Sequence, residues 1–235
     1  MTTVPAPIPL TVASYNIHKC QGLDRRVDLG RIAAVLSEVN ADLVGVQEVF
    51  RPQAEMLATK LGMEVVMGVT HERTGGPYGN AVLSRLGLKS SHVFDLTRRA
   101  REPRGGVRVD VTLGDGILHL FNVHFGLRVW ERAEQVALLV SLHVLGEHVR
   151  GPRVVLGDLN EWFPGPVGRL LRRELTGARL RRTHPAVMPL FGLDRIYWDR
   201  ALEGQGVHVH RTRLARVASD HLPIVARLRL APAAL

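Results

Sequence analysis

A single cysteine, Cys20, in 235 residues excludes an internal disulfide framework. Aromatics are scarce at 5%, so aliphatic side chains must fill most of the core that a 46% hydrophobic content permits. No apolar run approaches the ~20 residues of a membrane-spanning helix, so no membrane span is expected. Met1 to Leu10 lacks a basic start followed by an apolar stretch, so no secretory signal is expected either. A cytoplasmic monomer is the matching expectation. The chain contains no phosphate-cradling Gly-x-x-x-x-Gly-Lys loop, no Gly-x-Ser-x-Gly elbow and no Cys/His pairs at metal spacing. P-loop, serine-hydrolase and structural-zinc chemistries are thereby set aside. Lysine occurs only at Lys19, Lys60 and Lys89, yet the formal charge is +9 and the pI about 10.8. The basic charge is arginine, the side chain best shaped for phosphate oxygens, and it favours a polyanionic partner. A GC-rich coding sequence would give the same arginine excess.

What is present is a series of apolar runs, several ending in polar signatures. Leu10 to Tyr15 reads as a strand ending at Asn16. Asp28 caps a helix with apolar residues at Leu29, Ile32, Ala33, Leu36 and Val39. Asp42 to Val49 reads as a buried strand, Gln53 to Leu61 as a helix, and Glu64 to Met67 as a strand. His71 to Gly79, with Gly75-Gly76-Pro77, reads as a loop. Asn80–Ser84 and Leu88–Phe94 read as strands, and Arg98 to Gly106 as an Arg/Gly/Pro loop. Val107–Leu113 and Ile117–Val123 flank Gly114-Asp115-Gly116, a hairpin signal. Glu131 to Val149 has the periodicity of the longest helix. Arg153–Leu156 is a buried strand, and a helix falls within Pro164–Thr176. Strands near Arg195–Trp198, Val207–His210 and Pro223–Leu230 complete the chain. Strand, Asn-x-His, helix, strand occurs twice, at Ala13–Glu48 and Leu120–Asn160, which suggests two related β-layers facing one cleft. No linker separates them, so one domain is expected over 1–235, with its core at about 10–230.

Strand ends in α/β sheets are where sites are built. Glu48 follows Leu43-Val44-Gly45-Val46, and a carboxylate there needs a partner or a cation. Glu48, Asp220 and the amide oxygen of Asn16 form a sparse oxygen shell suited to Mg²⁺, which keeps several waters. Asp158 and Asn160 alternate along an extended segment and share a face. Asp158 can orient or deprotonate water, and Asn160 can donate amide hydrogens to a phosphate. His124 and His221 are the candidate charge-stabilising groups. Asp194 is the candidate carboxylate partner of one of them, and the sequence does not choose which. Arg104, directly before a strand, is a phosphate-binding candidate.

The ordered set Ser14-Tyr15-Asn16-Ile17-His18, Gln47-Glu48-Val49, Gly79-Asn80-Ala81-Val82-Leu83-Ser84-Arg85, Asn122-Val123-His124, Gly157-Asp158-Leu159-Asn160, Leu193-Asp194-Arg195-Ile196 and Ser219-Asp220-His221-Leu222-Pro223 resembles the endonuclease/exonuclease/phosphatase superfamily, the deoxyribonuclease I–like fold. The resemblance spans about Leu10 to Leu230. It implies a four-layer α-β-β-α sandwich of two facing mixed β-sheets with outer helices. It also implies Mg²⁺-dependent phosphoester hydrolysis by in-line attack of water, with Mn²⁺ as a substitute ion. By position, Glu48 looks like the main metal ligand, helped by Asn16 and Asp220, and Asp158 like the residue that activates water. Asn160, His124 and His221 look like phosphate and transition-state binders, with Asp194 supporting a histidine and Asn80 on the phosphate side. Superfamily members act on DNA, RNA, abasic sites, sphingomyelin and inositol phosphates. The basic charge favours nucleic acid as the phosphodiester substrate; a phospholipid or small-molecule phosphoesterase is the alternative enzyme, and an inactive binding module the non-enzyme one.

Overall fold

The structure, a computed structural model, describes residues 6–99, 101–144, 149–177 and 179–230, with the side chains of 142–144 outside that description. Strand β1 (Ile8–Asn16) leads through helix α1 (Leu29–Val39) to β2 (Leu43–Phe50), then α2 (Arg51–Leu61) and the hairpin β3 (Glu64–Arg73) and β4 (Gly76–Ser84). Next come β5 (Leu88–Asp95), β6 (Gly105–Leu113), β7 (Gly116–His124), α3 (Val129–Leu138), β8 (Arg153–Asp158), α4 (Pro166–Glu174), the short β9 (Thr176–Gly177) and β10 (Asp194–Trp198). The chain then returns through β11 (Leu202–Val209), the single-turn α5 (Ala215–Ala218) and β12 (Ile224–Leu230). One sheet has the order β11-β12-β1-β2-β4-β3 and the other β5-β6-β7-β8-β10-β9.

The expected four layers follow from where the apolar side chains go. Val12, Leu43 and Val82 of the first sheet meet Val109, Leu120 and Leu156 of the second in a core between the sheets. The other face of the first sheet packs Tyr15, Val44 and Leu83 against Ile32 and Leu36 of α1 and Leu57 of α2. The other face of the second packs Phe121, Val123 and Val155 against Val136 of α3 and Leu171 of α4. The repeated pattern is real in three dimensions. β1 pairs parallel with β2 across α1, and β7 pairs parallel with β8 across α3.

Asp28 caps α1 as expected, accepting a hydrogen bond from Arg31 N at 3.1 Å. The expected loop at 71–79 is instead the end of a hairpin. β3 continues to Arg73 and β4 begins at Gly76, so only two residues turn the chain. Gly75 and Gly76 supply the positive φ values, +125° and +105°, that such a turn needs. Pro77 is tolerated because the pairing of β4 with β2 ends at Tyr78, so its missing N–H lies outside that ladder. Gly105 and Gly106 likewise belong to β6, where Phe94 packs over Gly106 and any larger side chain would collide with its ring. The helix expected over 131–149 is α3, which continues as π-helical turns over Leu139–Val144; 145–148 lie outside the described residues. Among the described residues, no helix is long and apolar enough to cross a membrane.

Candidate active site

Strand register brings the polar signatures together. Asn16, the last residue of β1, is level with Gln47 within β2, and His124 is level with Asp158 at the ends of β7 and β8. Asp194, at the start of antiparallel β10, is also level with Asp158. Asp220 and His221 arrive just before β12, where Ser219 Oγ donates to Asn16 O at 2.8 Å.

Local backbone features aim the side chains. The β2–β4 ladder skips from Val46 to Val49, so Gln47 and Glu48 form a bulge, with Glu48 at φ +55°. Bulges re-aim side chains beside sites, and this one sends neighbouring residues to different tasks. Gln47 turns into the core, its amide nitrogen 2.6 Å from Asn122 Oδ1. Glu48 turns out, accepting from Tyr78 Oη at 3.1 Å and from Asn16 Nδ2 at 3.2 Å. Gly157 lets β8 approach β7 closely: a Cβ there would stand 1.9 Å from Val123 O.

Asp158 is the centre. Its Oδ1 accepts from Asn160 N at 2.9 Å. Its Oδ2 accepts from Asn16 Nδ2 at 3.1 Å and lies 3.7 Å from Nε2 of both His124 and His221. Asn16 therefore links Glu48 to Asp158 through one amide nitrogen. Its oxygen accepts from His18 N at 3.1 Å, which fixes the amide orientation. Asn160 gives its amide to Phe125 O at 2.9 Å and His124 Nε2 at 3.2 Å. Its hydrogens are thus engaged within the protein, and they hold the His124 ring.

The two histidines are both almost fully buried, at 5% exposure each, yet their surroundings oppose one another. Burial and then the Arg104 guanidinium, 3.1 Å from the ring, push His124 down to about 3. His221 donates through Nδ1 to Asp194 at 2.8 Å, which settles the partner question. Burial alone would depress His221, but the Asp194, Asp158 and Asp220 carboxylates outweigh it and push the imidazole up to about 10. At neutral pH one ring is neutral and the other is a cation.

The donor set fits a hard cation. Ligand-type atoms of Asp158, Asp194 and His221 lie within 4.8 Å of one another, as do those of His184, Asp220 and His221; the charged His221 ring has no free lone pair, so the carboxylates are the donors. Glu48 is in neither group; it faces Asp158 across the shared Asn16 amide. Asp194 keeps a fully buried oxygen without a hydrogen-bond partner. Asp158, Asp194 and Asp220 outnumber the one imidazolium among them, and a divalent ion would balance the excess negative charge.

Arg104 is held by Glu102, 2.9 Å away, which also grips Arg73. Asn80 donates to Gly105 O at 2.9 Å and lines a small cavity with Tyr78, Arg104 and His124. Asp220 is half-exposed, with His18 Nδ1 3.8 Å away. Asn122, first residue of the Asn-x-His signature, is a strut rather than a site group. It donates to Val46 O and Ala81 O of the first sheet at 2.9 and 2.8 Å.

Sequence reasoning missed three neighbours. Tyr78 stood inside the supposed loop; burial and then Glu48 hold its hydroxyl protonated, so it remains a donor. Glu102 lay unremarked in the Arg/Gly/Pro segment. His184, whose ring centroid is 4.6 Å from that of His221, had no motif around it at all.

A sequence model described as Endonuclease/Exonuclease/phosphatase family matches residues 13–221. "Uncharacterized protein YbhP" of Escherichia coli strain K12 is 31% identical over 245 residues, covering 93% of this chain and 96% of its own. The solved endonuclease/exonuclease/phosphatase from Beutenbergia cavernae DSM 12333 superposes with a TM-score of 0.74 at 25% identity, covering 97% of this chain and 73% of that one. The mannosyl-6-phosphatase Bt3783 of Bacteroides thetaiotaomicron VPI-5482 shares the fold, with a TM-score of 0.78 at 20% identity over 93% and 99% of the two chains.

Proposed function

The chain belongs to the endonuclease/exonuclease/phosphatase family, and from that premise we propose that it is a Mg²⁺-dependent phosphodiesterase that hydrolyses nucleic acid. The observation that carries the hydrolytic reading is Asp158 Oδ2, held by Asn16 and 3.7 Å from Nε2 of both histidines. Such an oxygen is placed to take a proton from an attacking water while the rings face the phosphate. Glu48, Asn16 and Asp220 would hold the ion, and the Asn16 amide nitrogen also ties Glu48 to Asp158. When bound, Mg²⁺ or Mn²⁺ supplies positive charge to the phosphate oxygens.

His221, kept cationic by Asp194, donates to the oxygen on which negative charge grows. His124 is neutral, its Nε2 accepting from the Asn160 amide, and it lines the site without adding charge. Arg104 brings the second cation of the site, oriented by Glu102. Asn160 keeps His124 in place, and Asn80 closes the phosphate side. The net charge of +9 supports a polyanionic substrate over a small phosphoester.

The test is a cleavage panel with Mg²⁺, Mn²⁺ or EDTA, covering plasmid DNA, single-stranded DNA, abasic DNA, RNA, phospholipid and a chromogenic diester. Asp158→Asn serves as the control against contaminating nuclease. Metal-dependent cleavage of DNA or RNA is expected, with affinity falling steeply as salt rises. A flat salt response would overturn the nucleic-acid reading; cleavage of no phosphodiester would overturn the enzyme reading.

A further inference from the structure

Next to the charged centre stands a continuous set of rings that hydrolysis does not require. From His221 the contacts pass to His184 at 4.6 Å, to Trp162 at 6.0 Å, to Phe191 at 4.6 Å and to Phe163 at 6.3 Å between centroids. In a chain so poor in aromatics this concentration is conspicuous. Nor is it buried core: Trp162 is 37% exposed and Phe163 is 73% exposed. The rings are also rigidly mounted. Glu161, beside Trp162, accepts from Val167 N and Gly168 N at 2.9 and 3.0 Å and from Arg195 Nη1 at 2.6 Å. The 184–191 loop closes on itself through the His184–Phe191 bridge and is tied to the site by Ala186 N donating to Asp220 O at 2.7 Å.

We propose that this aromatic shelf stacks an unpaired nucleobase beside the scissile phosphate, making single-stranded nucleic acid the preferred substrate. The proposal rests on the nuclease reading and narrows it. Any base offers a π-face, so a fixed platform of exposed rings binds single strands without reading sequence. In a duplex the bases are stacked on one another and withheld from such a platform. Charge complements it. The Arg216 guanidinium donates to Val187 O at 3.3 Å and that of Arg211 to Arg182 O at 3.4 Å, so cations line the same loop. Exposed Val187, Met188 and Leu190 on that loop would also suit a lipid surface. The rings, however, run unbroken to the catalytic imidazole, which places the stacked group within a nucleotide's reach of the phosphate.

The test compares kcat/KM for a short oligothymidylate, the matching duplex and methyl p-nitrophenyl phosphate. Trp162→Ala and Phe163→Ala are expected to lower the rate on the oligothymidylate by about tenfold, mainly through KM. The ratio of that rate to the rate on duplex or small diester falls in step. Met56→Ala, an exposed apolar position on α2, leaves the ratio at the wild-type value. An unchanged ratio in both shelf variants overturns the shelf while the nuclease reading stands, and so does an equal loss on duplex. Hydrolysis of the small diester with no nucleic acid cleaved overturns the nuclease reading, and the shelf with it. Sedimentation with phosphatidylserine vesicles that Phe163→Ala abolishes would assign the shelf to lipid instead.

Discussion

On one side of Asp158 stand Arg104 and His124; on the other stand Asp194 and His221. Both rings are buried alike, and both present Nε2 to the same carboxylate oxygen at the same distance. They differ in what lies behind them. An arginine behind His124 adds to burial and keeps it neutral, whereas a buried aspartate behind His221 overrides burial and keeps it charged. Identical side chains thus become a neutral hydrogen-bonding group and a fixed cation, and the backing residue, not the imidazole, assigns the role. The contrast extends outward. Behind His124 lies a charged lattice of Arg104, Glu102 and Arg73, and beyond His221 lies the aromatic shelf.

The comparison breaks most severely if its shared point is removed. Asp158→Asn keeps the acceptor for Asn160 N but cannot take a proton. It is expected to lower kcat by about 10³- to 10⁴-fold with an unchanged circular dichroism spectrum. His221→Asn removes a cation facing the transition state, with an expected loss of about 10²- to 10³-fold in kcat. Charge-assisted hydrogen bonds are roughly twice as strong as neutral ones, so His124→Asn should lose only about 10- to 30-fold. Equal losses in the two histidine variants would show that the rings are equivalent and that the charge asymmetry does not matter to catalysis.

A titration sharpens the same contrast without kinetics. In metal-free protein followed by NMR between pH 5 and 9, His221 is expected to stay charged and His124 to stay neutral. Arg104→Gln should raise the His124 value while leaving it below that of a free imidazole, because burial is the larger cause. A smaller effect comes from a second His–Asp pair away from the site. His119 Nδ1 lies 2.6 Å from Asp110 Oδ1, and this hydrogen bond raises the His119 value. Burial opposes ionisation of Asp110, but hydrogen bonds from His119 and Ser90 and the Arg108 charge lower its value. Stability from His119 is full below its unfolded value and fades as pH rises through the folded one. Stability from Asp110 is full above its unfolded value and fades as pH falls through the folded one. His119→Ala should therefore cost about 1–2 kcal/mol near pH 5 and less at pH 9, as read by urea denaturation.

The site was legible where a residue's task is written in its own backbone segment. Asp158, Asn160, His124 and Glu48 each follow an apolar run, and parallel pairing brings such ends together, while His221 stands just ahead of the apolar run of β12, which pairs antiparallel with β1. The layers were legible for the same reason, since apolar periodicity decides which face is buried. What was not legible depends on register and on contacts distant in sequence. Nothing near Asp194 says that it meets His221 and not His124. Gln47 and Glu48 read alike until the bulge sends them to opposite tasks. The 71–79 segment read as a loop because its two glycines and proline outweigh the strand residues around them, whereas the hairpin needs those glycines only at its turn. Tyr78 was hidden by that reading. His184 and the shelf rings lie on loops, where position is set by tertiary contacts and leaves no periodic trace.

The placement of β12 sets when this chain can become active. β1 is made first, yet it lies between β2 and β12 in the middle of its sheet, so one edge stays open until the last strand is synthesised. His221 and Asp220 arrive with that strand. A nascent chain on the ribosome can fold the β7–α3–β8 unit and much of the second sheet, since domains form from the N-terminus as residues emerge. The proposed centre cannot assemble without Asp220 and His221, so chains truncated before β12 are expected to be inactive in the same cleavage panel.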